Sequence, residues 1–319
     1  MNSNLKKMKI NRRKKRTIEV IFIIIIVLLI FVALFKMFMN LENNKGSSLE
    51  EYNPMGKTLE YKGTTYRYNS KIKSYLVLGL DDFYDGNESL SYQNTKCADF
   101  ILVLAMDKNN KSIKVLQIDR DTIVPIRKLD IHGNTIGYSD SQIALSHTYG
   151  SGKEDSIRNT LYSVRKLLFG LNVTDSISFT MDAVKEINDY VGGVYIDDLD
   201  KVLIGDEALY YVRARKDVDD GTNVARMVRQ RKYLESLKAI AKEKITNISE
   251  DEISKLTEYM STTLSVNSLN ELSNMLISYD LEYIKLPEGE IDYSKEFVEF
   301  YPNEDSLKEI LIDMFYKEK

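Results

Sequence analysis

Histidine and cysteine are nearly absent from this 319-residue chain, and their scarcity excludes several kinds of chemistry. His132 and His147 are the only histidines, and Cys97 is the only cysteine. Zinc sites are built mainly from clusters of these residue types, so we do not expect a zinc centre. One cysteine cannot form a disulfide bond within the chain, and we interpret Cys97 as a structural residue.

The chain also contains neither a G-x-S-x-G motif nor a Walker A motif. The first would place a nucleophilic serine on a sharp turn, and the second would bind nucleotide phosphates. Lys153 follows Gly150 and Gly152, but this spacing does not match a phosphate-binding loop. Serine hydrolase and P-loop nucleotidase functions are therefore disfavoured.

Only one hydrophobic run is long enough to cross a bilayer. Val20 to Phe35 is uninterrupted, and with Met37 to Met39 the stretch reaches about twenty residues, the length of a membrane-spanning helix. We predict a transmembrane signal anchor over residues 20–39. A cleaved signal peptide is the alternative, but no A-x-A-like cleavage site follows the run.

Charge is distributed unevenly around this run. The first sixteen residues carry eight basic side chains and no acidic one, which predicts a cytoplasmic basic tail over residues 1–19. The C-terminal domain of this single-pass protein of the cell membrane would then be extracellular. Because the whole chain carries −4 and Glu19 and Lys36 cancel, the part after the run carries −12. Such an acidic domain disfavours non-specific nucleic-acid binding.

The rest of the chain has the pattern of one α/β domain. Residues 40–71 predict a polar linker with a short β-like lead-in, and residues 72–319 predict a single domain. Strand-like apolar runs alternate with helical stripes, so we predict a three-layer α-β-α domain with a mixed central sheet, preceded by one transmembrane helix. The predicted strands include Tyr75–Leu80, Phe100–Ala105 and Ile113–Ile118; the predicted helices include Ser141–Tyr149, Asp155–Phe169, Asp182–Val191, Asn223 to about Lys244, a helix after a capping box at Ser249–Glu252, and a last helix capped by Asn303.

Two aspartates flank the first two predicted strands. Asp81 ends the first apolar run and Asp99 precedes the second, so antiparallel pairing would bring both carboxylates to one edge of the sheet. Two carboxylates with open positions suit Mg²⁺, which shares its oxygen ligands with substrate phosphates. Turn capping is the structural alternative for each aspartate.

Five arginines are concentrated between residues 210 and 233: Arg213, Arg215, Arg226, Arg229 and Arg231. Arg213 and Arg215 would point the same way in an extended segment. Arg226, Arg229 and Gln230 would share one face of a helix that has Asn223 as its N-cap, whereas Arg231 would point elsewhere. Converging guanidinium groups suit a pyrophosphate. A solvated helix face with surface ion pairs is the alternative.

Several short blocks occur in a characteristic order. Gly79 to Phe83 is similar to a G-x-D-x-R motif, with Phe83 at the arginine position. Cys97 to Asp99 is similar to R-S-D, with Cys97 at the arginine position. Gln117–Thr122 is similar to S-I-P-R-D-T, with Asp119 at the proline position, and Gln142–Gly150 is loosely similar to K-I-N-A-A-Y-A-Y-G. Gly192-Gly193-Val194 matches G-G-V, and Arg213 and Arg215 match R-x-R. Arg226, Arg229 and Gln230 match D-x-x-R-x-x-R-Q, with Asn223 at the aspartate position.

Over roughly residues 74–230, the chain resembles the LytR–CpsA–Psr family. This resemblance implies a membrane-anchored, Mg²⁺-dependent phosphotransferase that moves an anionic glycopolymer, such as teichoic acid, from a polyprenyl-pyrophosphate carrier to peptidoglycan. It implies that Asp81 and Asp99 hold Mg²⁺, and that Arg120, Asp121 and Arg226 are catalytic, with Asp121 a candidate base. The pyrophosphate ligands that it implies are Arg120, Arg213, Arg215, Arg226, Arg229 and Gln230.

The family's lipid tail occupies an apolar tunnel between the sheet and the helices. Leu161, Val164 and Leu168 form a stripe that would suit such a tunnel, although an ordinary core is the preferred interpretation of each residue. Phe83 and Cys97 remove two arginines near the phosphates, and Lys96 is a candidate replacement. Two alternatives therefore stay open, a non-catalytic polyprenyl-phosphate-binding regulatory protein and a lipid pyrophosphatase, although the retained aspartates and Arg120 favour catalysis.

Overall fold

The computed structural model describes residues 58–82, 94–173, 175–215, 218–244 and 258–319. The predicted basic tail, membrane anchor and capping box, together with Phe83, lie outside these residues. Within the described ranges, no helix combines the length and the apolar character that crossing a membrane requires.

The described chain alternates strands with helices. Its first half contains β1 (Thr58–Tyr61), β2 (Thr64–Tyr68), β3 (Ile72–Asp82), β4 (Lys96–Asp107), β5 (Ser112–Ile118), β6 (Ile123–Leu129), β7 (Thr135–Gln142), a 3₁₀ helix (Ile143–Thr148), α1 (Glu154–Leu167) and β8 (Asp175–Thr180). Its second half contains α2 (Asp182–Val191), β9 (Val194–Ile196), a 3₁₀ turn (Asp197–Leu199), β10 (Lys201–Leu203), α3 (Asp206–Arg213), α4 (Asn223–Lys244), β11 (Met260–Thr262), α5 (Val266–Ser278), β12 (Asp280–Tyr283), β13 (Gly289–Asp292), β14 (Glu299–Pro302), α6 (Glu304–Phe315) and β15 (Tyr316–Glu318).

The central sheet has six strands in the order β11-β8-β3-β4-β5-β12. The chain meanders antiparallel through β3, β4 and β5, whereas β8 and β12 join parallel to β3 and β5. The mixed sheet predicted from the alternating runs is therefore confirmed. The connections that lead to the two parallel strands contain helices, because parallel neighbours cannot be joined by a tight turn.

Helices cover both faces of this sheet. On one face, Leu161, Val164 and Leu168 of the α1 region pack with α6 against β3, β4 and β5. On the other face, Leu272 and Met275 of α5 pack against Tyr75 and its neighbours, and α4 lies beside them. Each buried leucine contributes roughly 1.5–3 kcal/mol from the apolar surface that it removes from water. The α1 stripe is thus ordinary core.

The chain ends extend the fold beyond this sheet. The hairpin of β1 and β2 pairs with β15, so the described fold begins inside the segment assigned to the linker and lead-in. Residues 245–319 were expected to complete the domain with helices. The described part of this segment, residues 258–319, also supplies β11 and β12 at the sheet edges and a separate hairpin of β13 and β14.

One predicted helix is wrong over part of its length. Ser141 and Gln142 pair with Val124 and Ile123 in the β6–β7 hairpin, so only Ile143–Thr148 turns, as a 3₁₀ helix. Local sequence favours a turn there, but cross-strand pairing extends the strand to Gln142. This 3₁₀ helix places His147 in the interior.

His147 is a buried neutral base. Its side chain is fully buried, and Nδ1 lies 2.8 Å from the carbonyl oxygen of Lys96. Among the residues described, Nε2 has no hydrogen-bond partner. Burial lowers the pKa of His147 from 6.5 to about 4.

We expect acid to destabilise the fold through His147. Between about pH 6.5 and pH 4 the unfolded chain binds a proton on this histidine and the folded chain does not, so the free energy of unfolding falls as the pH is lowered. The pKa difference corresponds to about 3 kcal/mol. Urea unfolding of the full chain in detergent micelles, followed across this range, measures the effect.

His147→Asn retains a donor near Nδ1 and removes the titrating ring, so it should flatten this part of the profile. The exposed His132 provides the control, because His132→Asn should leave the profile unchanged. An equal slope in wild type and His147→Asn would contradict the assignment.

Candidate active site

A β-bulge in β4 sets the position of Asp99. Gly79 pairs with Phe100 but Leu80 pairs with Ala98, so Asp99 is an extra residue without a cross-strand partner. A bulge redirects the side chain of its extra residue. Asp99 therefore lies inside β4. The sequence had indicated a position just before the strand, and this expectation was wrong. Asp81 is paired with Cys97, so both aspartates lie at the same end of the β3–β4 pair.

Asp99 is buried between two arginines from distant parts of the chain. Arg120, after β5, donates from Nη1 to Oδ1, and Arg226 of α4 donates from Nη1 to Oδ2 at 3.1 Å. Burial acts to raise the pKa of Asp99, but the two guanidinium groups outweigh it and hold the pKa below its ordinary value. Asp99 is thus a stable carboxylate.

Both arginines keep buried donor capacity. Within the described chain, Nε of Arg226 is buried without a hydrogen-bond partner, and Nε of Arg120 makes no hydrogen bond although it lies 3.4 Å from Oδ1 of Asp121. Native proteins rarely leave buried polar groups unpaired, so such groups indicate a place where another acceptor binds. An oxygen-rich anion would supply acceptors for these donors.

Asp81 forms a second, more open pair. Arg213 reaches it with Nη2 on Oδ1 and Nε on Oδ2, both at 2.8 Å. Burial raises the pKa of Asp81, Arg213 opposes that shift, and the charge of Asp99 adds to it. The two carboxylates are therefore close enough to influence each other, as the antiparallel arrangement predicted.

Arg213 and Arg215 do not lie in one extended segment, so that expectation was wrong. Arg213 is the last residue of α3, and the backbone becomes extended only at Ala214. The two side chains consequently approach different carboxylates. Nη1 of Arg215 lies 3.8 Å from Oδ2 of Asp121, and Oδ1 of Asp121 accepts from Nε2 of Gln142 at 2.9 Å. Arg120 lies beside Asp121 as well, with Nε at 3.4 Å from Oδ1.

Asp119 and Asn223 form a link that sequence reasoning missed. Nδ2 of Asn223 donates to Asp119 at 2.6 Å, while Oδ1 of Asn223 accepts from Arg226 at 2.5 Å. Asn223 is not the N-cap, since the hydroxyl of Thr222 accepts the backbone N–H of Ala225. The sequence did contain an indication of this contact, because positions 119 and 223, which touch each other here, both differ from the family blocks.

The remaining members of the arginine segment have internal partners. Arg229 donates to Asp219 and to the carbonyl oxygens of Tyr211 and Ala214, which ties α4 to the segment after α3. Gln230 donates to the carbonyl oxygen of Val212 at 3.1 Å and accepts from Gln117 at 2.9 Å. Nε of Arg231 also donates to Gln117, at 2.8 Å, so this residue lies closer to the site than expected.

Residues near the two missing arginines also have partners. The thiol of Cys97 lies 2.9 Å from Oδ1 of Asp99 and donates to it. Burial raises the pKa of this thiol, followed by the effect of the Asp99 charge, so Cys97 stays protonated. Lys96 does not replace an arginine near the phosphates in this arrangement, because its Nζ lies 2.9 Å from Asp82 at the surface.

An apolar cavity of about 400 Å³ lies near the charged cluster, and we call it the α4 cavity. It lies between the sheet and one face of α4, on the face opposite α1. Phe100, which follows Asp99, and Gln230, one turn after Arg226, line the cavity beside the charged cluster. Its α4 wall consists of Gln230, Tyr233, Leu234, Leu237, Lys238 and Ala241, which recur with helical spacing. Leu161, Val164 and Leu168 do not line it.

Comparisons with known proteins match this architecture. A family model described as the LytR_cpsA_psr family matches residues 36–314. The "Polyisoprenyl-teichoic acid--peptidoglycan teichoic acid transferase TagV" of Bacillus subtilis is 27% identical over 185 residues, which are 51% of this chain and 42% of that protein. The transferase of the same description named TagU, from Bacillus cereus, is 30% identical over 203 residues, 59% of each chain. The chain thus spans about half the length of these curated relatives.

A solved structure described as "TagT bound to LIIa-WTA" has the same fold. It superposes with a TM-score of 0.57 at 21% identity, covering 84% of this chain and 98% of that one.

We expect Asp99→Asn to destabilise the protein. The substitution leaves the guanidinium groups of Arg120 and Arg226 buried beside a neutral amide, and removing one member of a buried ion pair costs about 3–5 kcal/mol. Urea unfolding of the full chain in detergent micelles measures the change. Asp313→Asn, which removes a surface partner of Lys114, should cost less than about 1 kcal/mol. Equal effects of the two substitutions would contradict the assignment.

Proposed function

The chain belongs to the LytR_cpsA_psr family, and we propose that it is a membrane-anchored phosphotransferase that moves an anionic glycopolymer from a polyprenyl-pyrophosphate carrier to peptidoglycan. The observation that carries the proposal is the junction of an arginine cluster with an apolar cavity. Arg226, which keeps a buried donor, lies one helical turn before Gln230 of the α4 cavity lining, and its partner Asp99 precedes Phe100 of the same lining. A lipid pyrophosphate has the matching division into a charged head and an apolar tail.

The α4 cavity suits the lipid part of the carrier. Its volume of about 400 Å³ and its leucine, phenylalanine and valine lining fit a section of a hydrocarbon chain. The predicted anchor at residues 20–39 would hold the domain near the membrane that contains the carrier. The curated relatives are named for transfer between polyisoprenyl-linked teichoic acid and peptidoglycan, which supports the same donor and acceptor here.

The arginines would bind the pyrophosphate by exchanging partners. Arg120 and Arg226 are nearest to the junction, while Arg213 and Arg215 are more exposed on the other side of the aspartates. Their guanidinium groups offer paired donors to phosphate oxygens, and placing them in advance is most of what phosphoryl transfer requires. Arg229 and Gln230 would act beside them by holding α4 in place.

The transfer step needs a base, and Asp121 is our candidate for it. The acceptor hydroxyl oxygen would form a bond to the phosphorus that carries the glycopolymer, and the bond from that phosphorus to the bridging oxygen would break. Polyprenyl monophosphate would leave, and the hydroxyl proton would move to Asp121. Burial and the charge of Asp119 raise the pKa of Asp121, which makes it a better proton acceptor than an ordinary aspartate.

Asp81 and Asp99 are our proposed ligands for Mg²⁺. Carboxylate oxygens are the usual protein ligands of this ion, and one or two are sufficient beside substrate phosphates. Arg120, Arg213 and Arg226 now hold these oxygens and would turn to the phosphates when the ion binds. The described residues contain no cluster of three such side chains, so substrate and water oxygens would complete the shell. When bound, the ion would offset the charge of the pyrophosphate.

The test of transfer uses the full chain in detergent with a polyprenyl-pyrophosphate-linked saccharide, peptidoglycan oligomers and Mg²⁺. Mass spectrometry should detect polyprenyl monophosphate together with the saccharide attached to the oligomer. Release without attachment would favour a pyrophosphatase. Lipid that stays bound without release would favour a regulatory binding protein.

Arg226→Lys should lower the transfer rate by about 10²–10³-fold, since a lysine keeps the charge near Asp99 but loses the paired donors. The control is Arg158→Lys, which alters only an ion pair with Glu154 within α1. Retained transfer in Arg226→Lys would remove this arginine from the proposed site.

Asp81→Asn should raise the Mg²⁺ concentration for half-maximal transfer by roughly tenfold or more, because it removes a charged ligand. Asp82→Asn is the matched control, as Asp82 is adjacent but pairs with Lys96 at the surface. The proposed metal site fails if both variants have the wild-type Mg²⁺ requirement.

A further inference from the structure

A second cavity adjoins the charged cluster from the other face of the sheet. Its volume is about 360 Å³, within the usual range for small-molecule sites of roughly 300–1,000 Å³. Ile291 and Phe300 of the β13–β14 hairpin form one wall, Val224 of α4 lies across from them, and Asp119 lines the cavity on the side of the site. We call it the hairpin cavity.

The hairpin is hydrogen-bonded directly to the segment that contains Asp121. The backbone N–H of Phe300 donates to the carbonyl oxygen of Asp121 at 2.9 Å. Nε2 of Gln142 donates both to Asp121 and to the carbonyl oxygen of Val298, the latter at 2.7 Å. A ligand on the hairpin would therefore lie next to Asp121, the group assigned to accept the hydroxyl proton.

The two cavities lie on opposite faces of the central sheet. Leu102 and Leu104 line the α4 cavity, whereas Leu116 and Ile118 line the hairpin cavity, and these pairs belong to the cores on opposite faces of the sheet. Phosphoryl transfer requires the attacking and leaving oxygens to lie roughly in line across the phosphorus. With the lipid leaving group in the α4 cavity, the attacking hydroxyl would arrive from the side of the hairpin cavity.

The net charge of the hairpin indicates which kind of sugar polymer it can bind. Residues 288–302 carry a net charge of −4, from five acidic side chains and one lysine. Such a surface repels a polyanionic donor polymer. It also exposes aromatic rings, since Tyr293 and Phe297 are 64% and 55% exposed. Aromatic rings pack on the C–H faces of sugars, and carboxylates accept hydrogen bonds from sugar hydroxyls.

We propose that the hairpin cavity and the β13–β14 hairpin bind an uncharged acceptor saccharide and present its hydroxyl to the phosphate. The role of this site as an acceptor site rests on the proposed transfer function. The binding of a saccharide there does not depend on that function. Asp119 would accept a hydrogen bond from the bound sugar. Its Oδ1 is already fixed by Asn223 and by the backbone N–H of Asp121, which holds the carboxylate at the border between the cavity and the site.

The experiment compares Ile291→Gln and Phe297→Ala with wild type, using the full chain in detergent micelles. Both side chains are substantially exposed, so the substitutions should not prevent folding. Ile136→Gln is the matched control, because Ile136 is an exposed isoleucine on the separate β6–β7 hairpin. Ligand-observed saturation-transfer NMR with a neutral N-acetylglucosamine tetramer reports binding, and the transfer assay reports KM and kcat.

We expect wild type and Ile136→Gln to bind the tetramer, and both hairpin variants to bind it about tenfold more weakly. The KM for the acceptor should rise about tenfold, while kcat and the KM for the lipid donor stay unchanged. Wild-type binding in both hairpin variants would overturn the proposal. Displacement of the tetramer by a glycerol-phosphate oligomer would overturn it too, since the hairpin would then bind the anionic polymer.

The result also separates this proposal from the transfer function. Tetramer binding that depends on Ile291, in a protein that transfers nothing, would support the saccharide site and overturn the transferase assignment. Normal transfer with an unchanged acceptor KM in both variants would support the transferase assignment and overturn the saccharide site. Absence of both tetramer binding and transfer in wild type would overturn both.

Discussion

The carboxylate of Asp99, buried between the guanidinium groups of Arg120 and Arg226, is the interaction on which the rest of the site depends. It joins a bulge in β4, the segment after β5 and the first turns of α4 at one point. Burying a charge costs several kcal/mol, so each member of this group requires the others. The bulge, the helix position and the orientation of both arginines are consequently fixed together before any substrate binds.

Around this point the central sheet acts as a partition. The α4 cavity lies on one face and the hairpin cavity on the other. Apolar side chains line most of both cavities, but the lining of the hairpin cavity also contains Asp119 and Glu288, and the β13–β14 hairpin beside it is acidic. The two faces therefore suit ligands of different chemistry, and the β13–β14 hairpin is coupled to Asp121 through Gln142.

Three of the departures from the family pattern, Cys97, Asp119 and Asn223, belong to one hydrogen-bonded network. The thiol of Cys97 donates to Asp99, and Asn223 bridges Asp119 and Arg226. The carboxylate at position 119 and the amide at position 223 form a side-chain hydrogen bond that a proline at position 119 could not make. These departures therefore support the buried charge pair instead of leaving its members unpaired.

Local patterns in the sequence determined the elements and the inventory of the site. The apolar runs predicted β3, β4 and β5, and periodicity predicted α1, α2, α4 and α6, because these depend on residues close together in the chain. The ordered blocks indicated the family, and they selected Asp81, Asp99, Arg120 and Arg226 before their contacts were known.

The tertiary structure decided what those residues touch. A one-residue bulge redirected Asp99, the end of α3 separated Arg213 from Arg215, and Thr222 replaced Asn223 as the helix cap. The positions of the two cavities, and the hairpin from residues 289–302 beside Asp121, also required the folded chain. The bulge depends on strand register, and the cavities and the position of the hairpin depend on contacts between segments far apart in the chain, which local periodicity does not contain. The end of α3 and the Thr222 cap are local features whose exact residue the sequence pattern left open.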